Sequence, residues 1–209
     1  MSDKGRFITV EGQDGAGKST NIQTVIETLS DAGIECLETR EPGGTPLGEA
    51  LRGLLLERDQ FEIAALPELL MMFAARAQHL QSVIKPALAE GVWVVCDRFT
   101  DASYAYQGGG RELPFSDIDT LKTLVQGNLT PDLTLILDVP PEIGLARTDQ
   151  RGERDRFEIE NIEFKQRVRD AYLAIAGAEP NRVALIDASQ PLSTVHTRIK
   201  ELLAQRFEL

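Results

Sequence analysis

Phe7-Ile8-Thr9-Val10-Glu11-Gly12-Gln13-Asp14-Gly15-Ala16-Gly17-Lys18-Ser19-Thr20 carries an apolar run into a glycine-rich turn and then into a helical pattern. Gly12 to Ser19 matches G-x-x-x-x-G-K-[ST], and a strand before it with a helix behind it is the context of a P-loop. Glycines at Gly12, Gly15 and Gly17 let successive backbone N–H groups turn inward around an anion, and the helix N-terminus adds its positive end. Lys18 is expected to reach the β- and γ-phosphates of ATP and the Ser19 hydroxyl to take a place on Mg²⁺. Gln13, Asp14, Ala16 and Thr20 complete the expected cradle. The motif identifies a nucleotide but leaves open a small-molecule kinase, a regulatory ATPase and a ligase-like enzyme. No N-K-x-D guanine-reading motif accompanies it, which disfavours a small GTPase.

Four more apolar runs follow: Ile34 to Thr39, Val92 to Cys96, Leu133 to Leu137 and Val183 to Ile186. Like the first (Arg6 to Val10), they are nearly continuous in hydrophobicity, as strands covered on both faces are. Helical patterns lie between them, at Lys18–Ala32, Pro46–Glu57, Pro67–Ala89, Phe115–Gly127, Pro140–Arg147, Glu160–Ala176 and Pro191–Gln205. Gly33 and Gly91 suit helix C-caps, Pro67, Pro140 and Pro191 suit first turns, and Pro86 suits a kink. The alternation predicts an α/β fold: a five-stranded parallel sheet flanked by helices, in one domain spanning residues 1–209. Ligands in such folds bind beyond the carboxyl ends of the strands.

The net charge of −11 argues against binding a nucleic-acid polymer, which needs a basic surface. No apolar run approaches the ~20 residues a membrane span requires, and no signal-like N-terminus is present, so a cytoplasmic protein is expected. Cys36 and Cys96 fit neither a redox pair nor a zinc site and read as small buried hydrophobes. Sixteen of the 22 basic residues are arginines, and four (Arg147, Arg151, Arg154, Arg156) crowd into a stretch of alternating charge. Arginine's planar fork suits phosphate, so residues 147–158, after the fourth strand and a short helix, are expected to form a lid over ATP.

The remaining loops point to a second ligand. Asp97-Arg98 ends the third strand, where a carboxylate can hold Mg²⁺ and the arginine can grip an acceptor phosphate. Arg40 and Glu41 precede a Pro-Gly-Gly turn that would leave them at the ligand edge, although a plain turn explains Pro42 to Gly44 by itself. Phe73 and Arg76, neighbours on one helical face, would offer a stacking ring and a donor pair to a pyrimidine, yet Phe73 taken alone reads as core. Ser103-Tyr104-Ala105-Tyr106-Gln107 followed by three glycines reads as a polar loop able to pair with a base edge.

Together, FITVEGQDGAGKST, TREPGGT, the Phe73/Arg76 helix, DRF with SYAYQGGG, LDVPPEIGLAR and RGERDRFE resemble bacterial thymidylate kinases, P-loop nucleoside monophosphate kinases. The resemblance runs from about Arg6 to Glu158 and includes the later DASQPL turn. It implies transfer of the γ-phosphoryl of ATP to dTMP, with Mg²⁺, in a homodimer for which the apolar Leu66–Phe73 stretch is a candidate interface. It places Asp14 near the sugar 3′-hydroxyl or the phosphate, Phe73 on thymine and Arg76 on its carbonyl. Ser103 and Gln107 fall close to the base, Tyr106 beside the deoxyribose, Arg98 on the dTMP phosphate with Arg40 near it, and Arg147 on adenine. Gly15 occupies the position where some members carry a P-loop arginine. The catalytic arginine is therefore expected from the lid, Arg151 first and Arg156 second. Phe99 departs from the Tyr or His of many relatives. The alternatives are a kinase for another (deoxy)nucleoside monophosphate, such as dUMP or dCMP, and a regulatory P-loop ATPase.

Overall fold

The computed structural model describes residues 4–57, 62–149 and 155–209. Five strands, β1 (Phe7–Gly12), β2 (Cys36–Arg40), β3 (Trp93–Asp97), β4 (Leu133–Asp138) and β5 (Val183–Asp187), form one parallel sheet in the order β2-β3-β1-β4-β5. The strands end one or two residues later than their apolar runs, because Glu11, Asp97, Asp138 and Asp187 extend the ladder to the ligand edge. Val10 and Arg40 both register with Asp97, so the P-loop, the β2 turn and the end of β3 lie side by side. Residues of β1 and β4 are almost wholly buried, as central strands must be.

The helices are α1 (Lys18–Asp31), α2 (Pro46–Leu56), α3 (Ala65–His79), α4 (Lys85–Ala89), α5 (Thr100–Ser103), α6 (Phe115–Gln126), α7 (Pro141–Asp149), α8 (Ile162–Ala178) and α9 (Leu192–Phe207). Gly33, at φ 75°, closes α1 as expected: its N–H reaches Ser30 O at 2.9 Å and the Ile34 N–H reaches Leu29 O at 2.9 Å. Thr45 caps α2 through the Gly48 N–H, and Asn161 caps α8 through the Phe164 N–H. Pro67 sits in the first turn of α3, whereas Pro140 and Pro191 stand just before their helices. A wide π turn (Leu80–Ile84) joins α3 to α4 ahead of Pro86, whose ring would otherwise press on the Ser82 carbonyl.

The expected loop at Ser103–Gly110 is a correction. The segment is helical, α5 running on into a π turn over Tyr104–Gly110. Its glycines are there for contact: a Cβ on Gly109 would come within 2.8 Å of Ala171 and one on Gly110 within 2.5 Å of Phe164. They let α8 press directly against this backbone. Cys96 is buried, but Cys36 only partly so, against the expectation for both. Leu66 and Leu70 are half-exposed while Leu69 and Phe73 are buried, so the apolar stretch of α3 serves two faces. Among the described residues, no helix is long and apolar enough to cross a membrane.

Candidate active site

The P-loop begins where β1 ends. Gly12 (φ 136°) and Gly15 (φ 79°) adopt conformations that side chains disfavour, and a Cβ on Gly15 would lie 2.3 Å from Gly144 O. The cradle therefore packs tightly on α7. Lys18 Nζ rests on the Gly12 and Gln13 carbonyls at 3.3 and 3.2 Å. Burial and the neighbouring Arg98 lower its pKa from the usual lysine value. Ser19 opens α1 beside Asp97, whose Oδ1 is buried with no hydrogen-bond partner. A buried carboxylate oxygen left open beside a phosphate cradle suits Mg²⁺.

Arg98 links this cradle to an adjoining cleft lined by α2, α3 and α5. It occupies the left-handed region at φ 67°, a conformation costing a non-glycine residue about 1–2 kcal/mol. That geometry turns its guanidinium back over β1: Nη1 donates to Gly12 O at 2.8 Å, and Nη2 donates to Asp14 Oδ1 at 2.8 Å and to Tyr106 OH at 3.0 Å. Burial opposes the charge on Asp14, but Arg98, Lys18 and Lys165 outweigh it and hold the carboxyl below the usual carboxylate range. Glu11 anchors the turn, accepting the Phe99 N–H at 2.7 Å and the Tyr172 hydroxyl at 2.8 Å. Burial, then Asp101, pushes its pKa up to about 8, so at neutral pH it holds this backbone without opposing a bound phosphate.

Asp14, Arg76, Arg98, Ser103, Tyr106 and Gln107 all line the cleft. Glu41 orients Arg76 by accepting from Nε at 2.6 Å, while Nη2 donates to Phe99 O at 3.0 Å and to Ser103 Oγ at 3.1 Å. Arg76 Nη1 remains buried without a partner, a donor open to a ligand. Two of the expected wall residues are placed differently. Phe73 is 2% exposed and packs with Leu69 and Ile118 beneath Arg76, while Met72, one residue earlier, lines the cleft. Arg40 lies outside the cleft, half-exposed and tied to Glu49 at 2.8 Å. Arg52 of α2 takes the place expected of it, lining the cleft and donating to Pro42 O at 2.9 Å. Burial, then repulsion from Arg40, lowers the Arg52 pKa, the signature of crowded cations that an anion would relieve. A cation interrupting the apolar helix Leu51–Leu56 was the one sequence signal for it.

Arg147 bridges the P-loop to the turn after β5, donating to Gly15 O at 3.3 Å and Ala188 O at 3.1 Å. Arg151, the first-choice lid arginine, and Arg154 lie outside the described residues. Arg156, the second choice, is turned away from the P-loop: Nη2 donates to Glu68 Oε2 at 2.6 Å and Nε to Leu55 O at 2.9 Å. It pins the end of the expected lid to α2 and α3. Arg156→Ala should thus lower kcat less than tenfold yet cost about 3 kcal/mol of stability, since one cation of a buried cluster is removed. Parallel turnover and thermal-unfolding measurements check this, and a 100-fold loss of kcat with unchanged stability would return Arg156 to a catalytic role.

Comparison with known proteins identifies relatives of the whole chain. The family model described as "Thymidylate kinase" matches residues 10–199. The chain is similar to the thymidylate kinase of Pseudomonas fluorescens (strain SBW25), with 55% identity over 98% of this chain and 97% of that one. It is also similar to that of Chromohalobacter salexigens, with 56% identity over 97% of both. The crystal structure of thymidylate kinase from Ehrlichia chaffeensis superposes with a TM-score of 0.77 at 37% identity, covering 96% of this chain and 99% of that chain. A family model that spans most of the chain, and relatives 55% and 56% identical along nearly its whole length, show that the chain belongs to the thymidylate kinase family.

Proposed function

We propose that the protein is a cytoplasmic dTMP kinase that transfers the γ-phosphoryl of ATP directly to the phosphate of dTMP, giving ADP and dTDP. The observation that carries this reading is the position of Arg98, which touches the P-loop carbonyl of Gly12 and lines the adjoining cleft at the same time. Two anions bound there lie within the reach of one guanidinium. In the transfer, the bond from the γ-phosphorus to the β-phosphate oxygen breaks as an acceptor phosphate oxygen bonds to that phosphorus. The acceptor is already anionic, so no general base is required, and positioning with charge neutralisation dominates. Ser19 and Asp97 would hold Mg²⁺, which supplies charge neutralisation on the β- and γ-phosphate oxygens.

Gly12 to Thr20 form the ATP cradle and Lys18 stabilises the transferring group, while Arg147 flanks the adenine. Arg98, assisted by Arg52, grips the dTMP phosphate, and Asp14 and Tyr106 border the deoxyribose. Arg76, Ser103 and Gln107 meet the base edge, with Met72 and Phe99 in its walls. On sequence alone Arg151 stays the proposed lid arginine. The exposed Leu66 and Leu70 of α3, with Leu47 and Leu54 of the adjacent α2, support a homodimer.

A coupled ADP-release assay with dTMP, dUMP, dCMP and dGMP tests the reading. The kcat/KM for dTMP should exceed that for dUMP by about 10–200-fold, the span one methyl group commands in an apolar pocket. ADP release indifferent to every monophosphate would instead mark a regulatory ATPase.

A further inference from the structure

Glu68 of α3 is 0% exposed and outside the cleft, yet it holds one of the cleft's polar groups. Its Oε1 accepts from Gln107 Nε2 at 2.8 Å, and its Oε2 accepts from Arg111 Nε at 3.1 Å and Arg156 Nη2 at 2.6 Å. Two guanidiniums donate to it, so the Glu68 carboxyl serves as a hydrogen-bond acceptor for its neighbours. An acceptor on that side forces the Gln107 amide to present its NH₂ to Glu68. The amide oxygen is then the acceptor that Gln107 can offer to the cleft it lines, beside the second N–H of the same group. Phe157 and Phe164 pack against Arg111, and Phe157 also meets Arg156, so the cluster is rigid.

We infer that Glu68 is a positioning residue for pyrimidine selectivity: it locks Gln107 with its carbonyl toward the base, so that the site reads an N3–H donor and rejects cytosine. This deepens the dTMP kinase reading and rests on it. Thymine and uracil carry a hydrogen on N3, whereas cytosine carries a lone pair there, which would face the Gln107 oxygen. Arg76 does not read N3, because a guanidinium only donates and its free Nη1 would pair with a carbonyl. The discrimination therefore falls to an amide whose orientation is decided one residue farther out.

The test compares kcat/KM for dTMP and dCMP in the wild type and three variants. Glu68→Gln can donate as well as accept, freeing the Gln107 amide to turn, and should reduce the dTMP:dCMP ratio at least tenfold. Glu68→Asp still only accepts and should keep the ratio within about threefold of wild type. The exchange Glu68→Gln with Gln107→Glu preserves the charge of the cluster and again offers the cleft only an acceptor. It should keep the dTMP preference, and it decides the matter should Glu68→Gln alone fail to fold. A purely structural Glu68 would lower both activities together, so an unmoved ratio in folded Glu68→Gln overturns the inference, as does loss of preference in the exchange variant. A wild type that does not phosphorylate dTMP would overturn the functional reading first and this inference with it.

Discussion

Lys18→Ala should lower kcat about 10³-fold while the KM for dTMP moves less than about threefold. The ammonium lies at the mouth of the P-loop, on the Gly12 and Gln13 carbonyls and 3.9 Å from Asp14, contacts that a triphosphate would supersede. Its charge meets the oxygens over which charge spreads during transfer, so its loss is felt in the transition state more than in substrate binding. The acceptor cleft does not include Lys18, which is why the dTMP constant should hold. Steady-state kinetics at saturating ATP, with a circular-dichroism check of folding, makes the measurement. A kcat within tenfold of wild type would remove Lys18 from the catalytic set.

Arg98→Lys should raise the KM for dTMP about 10²-fold and leave the KM for ATP within about threefold. An ammonium keeps the charge but cannot span Gly12 O, Asp14 and Tyr106 as the guanidinium does. Asp14 would lose part of its partner set in a largely buried position, which should lower stability by about 1–3 kcal/mol in thermal unfolding. Arg98→Gly separates the backbone from the chemistry. Glycine accepts φ 67° without strain, so this variant should regain some backbone ease and still use dTMP as poorly as the lysine variant, or worse. Near-normal dTMP kinetics in Arg98→Gly would show that the loop conformation, and not the guanidinium, serves the acceptor.

The placement of the expected residues follows physical lines. Asp97 and Arg98 could be read directly at the carboxyl end of β3, and Lys18 and Ser19 where the P-loop after β1 opens α1, because the carboxyl ends of the strands of a parallel α/β sheet face one edge. Phe73 follows the reading it has taken alone, as a core residue, and the cleft-lining position falls one residue earlier, on Met72. On a helix one residue is a rotation of about 100°, enough to turn Phe73 into the core and bring Met72 to the cleft. The glycines at Gly108 to Gly110 signal a loop to any local rule, yet here they accommodate the side chains of α6 and α8. Arg156 is an arginine in a charged run, and only its seating on Glu68, far back in the chain, shows that it fastens the segment down.

The order of strands and helices and the P-loop turn follow from local sequence. Burial on both faces, turn chemistry and backbone N–H geometry act over a few neighbouring residues. Which arginines line the cleft, whether Phe73 or Met72 reaches it and which partner Gln107 Nε2 meets were settled by packing among α2, α3, α5 and the chain before α8. Those choices depend on contacts between residues tens of positions apart, and hydrogen-bond donors and acceptors can be matched only once the folded chain has brought them together.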